Sequence, residues 1–168
     1  VDASGIHIAY YRNGGIKYAL VNSNGVAVNG KYDKVIEVEG AGTNYANVIA
    51  IDNNVYVFYL KNNKIQVAKS TNLGDTWNNN FDSRIMSNYG CDAITGYLVG
   101  QEIHIVWTET RVNDYQPETH YIKYVTNATI NKWQNYYKVT DVETEGGNNP
   151  DVAISTDKVH VDYIPPYP

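Results

Sequence analysis

Short runs in which apolar positions alternate with polar or aromatic ones dominate the chain, and they recur. Ile6-His7-Ile8-Ala9-Tyr10 is matched by Val55-Tyr56-Val57-Phe58-Tyr59, Ile103-His104-Ile105-Val106-Trp107 and Val159-His160-Val161-Asp162-Tyr163, at intervals of about 50 residues. Alternation with period two predicts strands, because successive side chains of a strand point to opposite faces. A second strand is expected after each of the first three copies, at Ile16–Ala19, Ile65–Ala68 and Ile122–Val125. Turns follow at Asn22–Gly25, Ser70–Trp77 and Asn127–Trp133, then third strands at Lys34–Val38, Ser83–Met86 and Lys138–Val142. Gly-rich links (Glu39–Asn44, Tyr89–Gly90, Gly146–Asn149) lead into short apolar strands at Ala46–Ile51, Ala93–Leu98 and Asp151–Ile154. No segment carries the 3.6-residue apolar period of a helix, so no substantial helix is expected.

Four strands per repeat of this length match an all-β fold, the β-propeller, in which each repeat is one four-stranded antiparallel blade. With strands lettered A to D outward from the axis, the chain reads B-C-D, A-B-C-D, A-B-C-D, A-B. The repeats fall at about 1–44, 45–90, 91–149 and a partial 150–168, a single propeller segment of three to three and a half blades. Propellers close with about four to eight blades, and open sheet edges invite aggregation. The chain is therefore expected to belong to a longer protein, or to be completed by copies of itself. Its start at Val1-Asp2, without Met, reads as the end of an A strand, compare Ile51-Asp52. A three-period β-sandwich or solenoid is the alternative.

The turn Ser70-Thr71-Asn72-Leu73-Gly74-Asp75-Thr76-Trp77 is the most distinctive stretch. Ser70 and Asn72 can fold their side-chain oxygens onto nearby backbone N–H groups, Gly74 can take a positive φ, and Trp77 can pack under the turn. The pattern S-x-N-x-G-x-T-W resembles the Asp-box, S-x-D-x-G-x-T-W, of sialidases and related BNR-repeat proteins, with Asn72 in place of the usual Asp. The resemblance implies a sialidase-like propeller in which this hairpin joins C to D at the outer rim, away from any active site. The turns at Asn22–Gly25 and Asn127–Trp133 are degenerate versions.

Composition narrows the function classes. Charged residues make up 18% of the chain, while Tyr (16) and Asn are heavily used. A net charge of −5 without a Lys/Arg cluster argues against nucleic acid. No apolar run approaches the roughly 20 residues that cross a bilayer as a helix. The single cysteine, Cys91, excludes an internal disulfide and a Cys-based zinc site, and reads as a small buried residue. The sequon Asn127-Ala128-Thr129 lies in an expected turn and points toward an extracellular or cell-surface protein.

Propeller topology puts the B–C and D–A loops around the central funnel: Tyr11–Gly14, Leu60–Asn63, Glu109–Thr119, Glu39–Tyr45, Asn88–Asp92 and Glu145–Asp151. Their Asn, Gly, Tyr and scattered acids suit carbohydrate hydroxyls and sugar C–H faces. The longest, Glu109–Thr119, breaks the repeat length and gathers Glu109, Arg111, Asp114, Tyr115 and Glu118, which marks it as the best candidate site. A solvated surface hairpin is the plainer reading of it. Arg12, Asp92 and Asp151 complete the candidate ligand-binding set; Asp92 and Asp151 can equally be structural, each bonding the turn before its strand.

A sialidase requires three arginines on the substrate carboxylate, a Tyr–Glu nucleophile pair and an acid/base Asp. The chain has three arginines, Arg12, Arg84 and Arg111, of which Arg84 falls in an outer strand. The F-R-I-P-type segment is absent, so no catalytic residue is assigned and a complete site is not expected. Other glycosidases need only two facing carboxylates, which Asp92, Asp151, Glu109 and Asp114 could supply. His7, His104 and His160 share one repeat position, but Tyr56 holds it in the remaining copy, so packing is favoured over metal binding. No metal or other cofactor is expected; the acidic loops leave calcium open without indicating it.

The sequence thus points to glycan binding or adhesion through the funnel-side loops, without chemistry. The alternatives are a fragment of a sialidase-like glycoside hydrolase and a module for protein–protein assembly. Expected partners are glycans and the other blades, or copies, that close the ring.

Overall fold

The computed structural model describes residues 3–37, 46–62, 64–79, 81, 90–110, 117–125, 132–133, 137–139, 148–155 and 158–164. These form two compact units, Val1–Met86 and Ser87–Pro168. Among the described residues every regular element is a strand except one 3-10 turn, Val28–Gly30.

The first unit holds two antiparallel meanders. β1 (Ile6–Arg12), β2 (Gly15–Val21) and β3 (Lys34–Glu37) form one sheet, and β4 (Ala46–Ile51), β5 (Asn54–Lys61) and β6 (Lys64–Ser70) the other. The β1–β2 hairpin closes on two residues, Asn13 and Gly14, at φ 52° and 80°. Two consecutive left-handed residues give the turn whose twist matches paired strands, and Asn-Gly is the pair that tolerates it best. Ile16, Tyr18 and Leu20 of β2, with Ile36 of β3, pack against Val55, Val57 and Tyr59 of β5 and Ala68 of β6. The period-two spacing of these residues is what lets one face of each strand reach this shared core.

In the second unit β7 (Gly90–Val99), β8 (Glu102–Thr110) and β9 (Pro117–Val125) pair in sequence order. Two short strands, β10 (Lys132–Trp133) and β11 (Tyr137–Lys138), both pair with β9. β12 (Asn148–Ile154) and β13 (Val159–Ile164) form a separate hairpin sheet, with β12 packed near β7 and β8. β8 is the buried centre, with Ile103, Ile105, Val106 and Trp107 all at 0% exposure.

Some expectations from the sequence change: Gly90 and residues 148–149, expected in Gly-rich links, are the first residues of β7 and β12. Lys132 and Trp133, expected in a turn, are strand residues that continue the β9 ladder. In the expected strand Lys138–Val142, Lys138 pairs with His120 as part of β11 and Val139 is in no strand, while residues 140–142 lie outside the described residues. The loop expected over Glu109–Thr119 is shorter, because Glu109 and Thr110 pair with Glu118 and Pro117. Threonines at 108, 110 and 119, polar yet β-branched, favour strand over loop there. The expected strand Ser83–Met86 lies outside the described residues.

Candidate functional site

The hairpin ends of β1, β5 and β8 share a side-chain device at equivalent repeat positions. In β1, the hydroxyl of Tyr10 donates to Asp33 Oδ1, and Arg12 Nη1 donates to Asp33 Oδ2 at 2.7 Å. In β5, the Tyr59 hydroxyl donates to Glu37 Oε2 at 3.5 Å while Lys61 Nζ lies 2.9 Å from the same oxygen. In β8 the carboxylate itself occupies the cation's position: Trp107 Nε1 donates to Glu109 Oε2 at 3.2 Å. In these three copies the aromatic at the fifth position of the repeat thus finds a carboxylate for its polar tip.

Electrostatics follow from burial. Burial, then the Asp33 carboxylate, pushes the Tyr10 hydroxyl up to about 12. The hydrogen bond from Tyr10, with Arg12 beside it, holds the Asp33 carboxyl below its usual value. Burial, reinforced by the charge of Glu37, raises Tyr59. Tyr59 is fully enclosed, so its pairing with Glu37 braces the core and offers no hydroxyl to a substrate.

Of the residues singled out from sequence, Arg12 stands exposed at the end of β1, paired with Asp33. Glu109 is corrected from a loop ligand to a buried strand residue, 4% exposed and bonded by Trp107. Asp92 is the extra residue of a bulge, since Cys91 faces Glu109 and Ala93 faces Thr108. The backbone thereby brings Asp92 to the same end of the ladder as Glu109. Asp151 follows another irregularity, in β12, and lies exposed across from Asp162. Arg111, Asp114 and Tyr115 lie outside the described residues, as do Arg84 and Asn127; Glu118 is in β9 opposite Glu109.

The Ser70–Trp77 turn is closed by its own side chains. Ser70 Oγ accepts from the N–H groups of Asn72 (3.3 Å) and Gly74 (2.8 Å) and donates to Asn72 Oδ1 at 2.8 Å. Asn72 Oδ1 also accepts from Thr76 N at 3.0 Å, and its amide donates to Thr76 Oγ1 at 2.9 Å. Trp77 Nε1 donates to the Gly74 carbonyl at 3.1 Å. The Asn22 turn reproduces part of this: Asn22 Oδ1 accepts from Asn24 N and Val26 N, both at 3.0 Å, two and four residues on as Ser70 does. A neighbouring sheet grips the turn. Trp77 meets Tyr18 edge-on at 5.1 Å, and Lys31, its side chain 5% exposed, reaches Asp75 Oδ2 (3.1 Å) and the Asn72 carbonyl (3.3 Å).

The three histidines have three environments. His7 bonds the Tyr18 hydroxyl (2.7 Å) and Ser4 Oγ (3.0 Å); His104 is buried with Glu102 at 3.7 Å; His160 is exposed beside Ser155 Oγ at 3.3 Å. No group of three or more metal-ligating side chains occurs among the described residues. Cys91 is buried, its Sγ 3.5 Å from the Ala93 carbonyl.

Asp33, Glu37, Lys31 and Lys61 were not singled out from sequence. Aligning the repeats offers a partial signal, since Tyr10 and Arg12 fall where Tyr59 and Lys61 do. The carboxylates come from elsewhere in the chain and leave no such trace.

No protein-family profile matches the chain, and no curated protein matches it in sequence. Solved structures do match in fold. A point mutant of NanB sialidase from Streptococcus pneumoniae aligns with TM-score 0.61 and 16% identity, over 94% of this chain and 25% of the sialidase. NanB with Optactamide aligns equally well. The chain thus spans about a quarter of the length of these structures. At this identity the likeness establishes fold: an all-β, sialidase-like propeller arrangement of small antiparallel sheets.

Proposed function

We propose that the chain is a carbohydrate-binding segment of a sialidase-like β-propeller, recognising glycans through its funnel-side loops, foremost the one that follows Thr110, without cleaving them. The observation that carries this reading is the β8–β9 ladder. It pairs without interruption from Glu102↔Val125 to Thr110↔Pro117, so paired strand runs up to both ends of the longest loop. A stiff base lowers the entropy lost when the side chains it carries engage a ligand. Arg111, Asp114 and Tyr115 follow directly on that base, and Arg, Asp and Tyr are the planar donor, acceptor and stacking face a sugar needs.

The same reading makes Ser70–Trp77 an Asp-box with Asn72 as its variant residue, the remaining blades the contribution of a longer chain or of further copies, and the location extracellular or cell-surface. Among the described residues no helix is long and apolar enough to cross a membrane.

Replacing Arg111 and Tyr115 together by Ala tests the reading. Glycan affinity is expected to fall at least tenfold with thermal stability unchanged; unchanged affinity would remove this hairpin from the site. The sialidase-like fold keeps one other reading in view, a fragment of a glycoside hydrolase, which turnover of a glycoside would establish.

A further inference from the structure

We propose a second ligand site, on the outer side of the Ser70–Trp77 turn, that takes a carboxylate-bearing sugar ring. A cleft of about 380 Å³ opens there, lined by Lys69, Thr71, Thr76, Trp77, Asn78 and Phe81. That volume is at the small end of the range for ligand sites, about 300–1,000 Å³, and suits one ring rather than a chain. The turn closes one end of β6, whereas the Lys61–Lys64 hairpin closes the other, so the cleft is separate from the funnel-side loops assigned above.

The wall of the cleft supplies an anchored cation. Lys69 Nζ stands 5.1 Å from the ring centroid of Tyr56, its cross-strand neighbour, and 4.9 Å from that of Phe81. Two aromatic faces hold the ammonium in place without neutralising it. Arg12, Lys31 and Lys61 each have a carboxylate at salt-bridge distance; among the described residues Lys69 has none. A half-buried cation without a counter-ion attracts an anion more strongly than an exposed one, because less water competes for it. Partial burial also lowers the Lys69 ammonium from its ordinary value, and an anionic ligand would reverse that loss.

The rest of the lining fits a sugar. Trp77 is fixed by its bond to the Gly74 carbonyl and by Tyr18, yet remains partly exposed in the cleft. Such a ring stacks on the apolar face of a pyranose. Thr76 Oγ1 already accepts from Asn72, which leaves its own O–H to donate, and Thr71 is exposed beside it. Cation, ring face and hydroxyls therefore converge from parts that the turn already holds rigid.

The test is an NMR titration of the Trp77 indole N–H, assigned with Trp77→Phe, using methyl β-glucuronide, methyl β-glucoside and sodium acetate as probes. The glucuronide is expected to bind at least tenfold more tightly than the glucoside, and acetate to leave the indole unmoved. Lys69→Met keeps the aliphatic stem over both rings and should reduce the glucuronide to the level of the glucoside; Lys69→Arg should restore most of the difference. Arg111→Ala should leave all three titrations unchanged, so failure here and failure of the funnel-side reading are separately visible. Equal affinity for the two glycosides, an acetate response matching the glucuronide, an unaffected Lys69→Met protein or no binding of the glucuronide would each overturn the proposal.

Discussion

Gly74 lies so close to Tyr18 that a Cβ added to it would stand 2.1 Å from the ring carbon Cε1. Its φ of 88° is a second reason for glycine. Gly14 has a similar φ, 80°, but open space where a side chain would go. Gly74→Ala is therefore expected to cost about 3 kcal/mol, backbone strain plus displacement of a core ring, against about 1 kcal/mol for Gly14→Ala. Urea denaturation of the two variants checks this; equal costs would mean that the Tyr18 contact contributes nothing.

Ser70 and Asn72 make different predictions although both close the same turn. Ser70 is 1% exposed and accepts from two backbone N–H groups, so Ser70→Ala leaves a buried donor unmet and should cost about 2 kcal/mol. Asn72→Asp keeps the oxygen that accepts from Thr76 N, and the Thr76 hydroxyl can turn to donate where it now accepts. This exposed substitution should change stability by less than about 0.5 kcal/mol. Thermal melts of both variants measure the difference.

Two carboxylate–cation pairs invite comparison by double-mutant cycles. Arg12 and Asp33 have side chains 52% and 38% exposed, whereas Lys61 and Glu37 are 32% and 9% exposed. Surface pairs couple by about 0.5 kcal/mol, and the Lys61–Glu37 pair, with less water around it, should couple by about 1–2 kcal/mol. High salt should erase most of the first coupling and less of the second. Equal couplings would show that the burial of Glu37 has no energetic consequence.

Tyr10 and Tyr59 fix the alkaline limit. Both hydroxyls are raised above the ordinary 10.0, Tyr10 to about 12, so the folded protein keeps protons that the unfolded chain has lost. Stability then falls as pH rises above 10, because the unfolded state binds fewer protons. At the acid end the sign is opposite: Asp33 is depressed, so its contribution is present above the unfolded value of 3.8 and is lost as pH falls through the lower folded value. Denaturation midpoints against pH should show Tyr10→Phe with a shallower alkaline decline and Asp33→Asn with a shallower acid one.

Much of the strand framework was legible because alternation with period two is a local property. β4 coincides with its expected bounds, Ala46–Ile51, and all four copies of the repeated strand are strands. What escaped reading depends on partners distant in the chain. Glu37 meets Tyr59 across 22 residues of sequence, and Lys31 meets the Asn72 carbonyl across 41. Nothing local in Val35-Ile36-Glu37 says that its carboxylate will be buried. Glu109 escapes a local reading for a related reason: Thr108 to Thr110 is polar enough to read as loop, yet pairs with Pro117 to Thr119 as strand. The turn at Ser70 was legible because its bonds run only two to four residues along the chain.

The most direct test is a glycan-array screen of the protein, run beside a panel of fluorogenic glycosides. Glycan binding that is lost in the Arg111→Ala, Tyr115→Ala protein, with no fluorophore released, is the predicted result. Release of the fluorophore, or an array on which nothing binds, would contradict it.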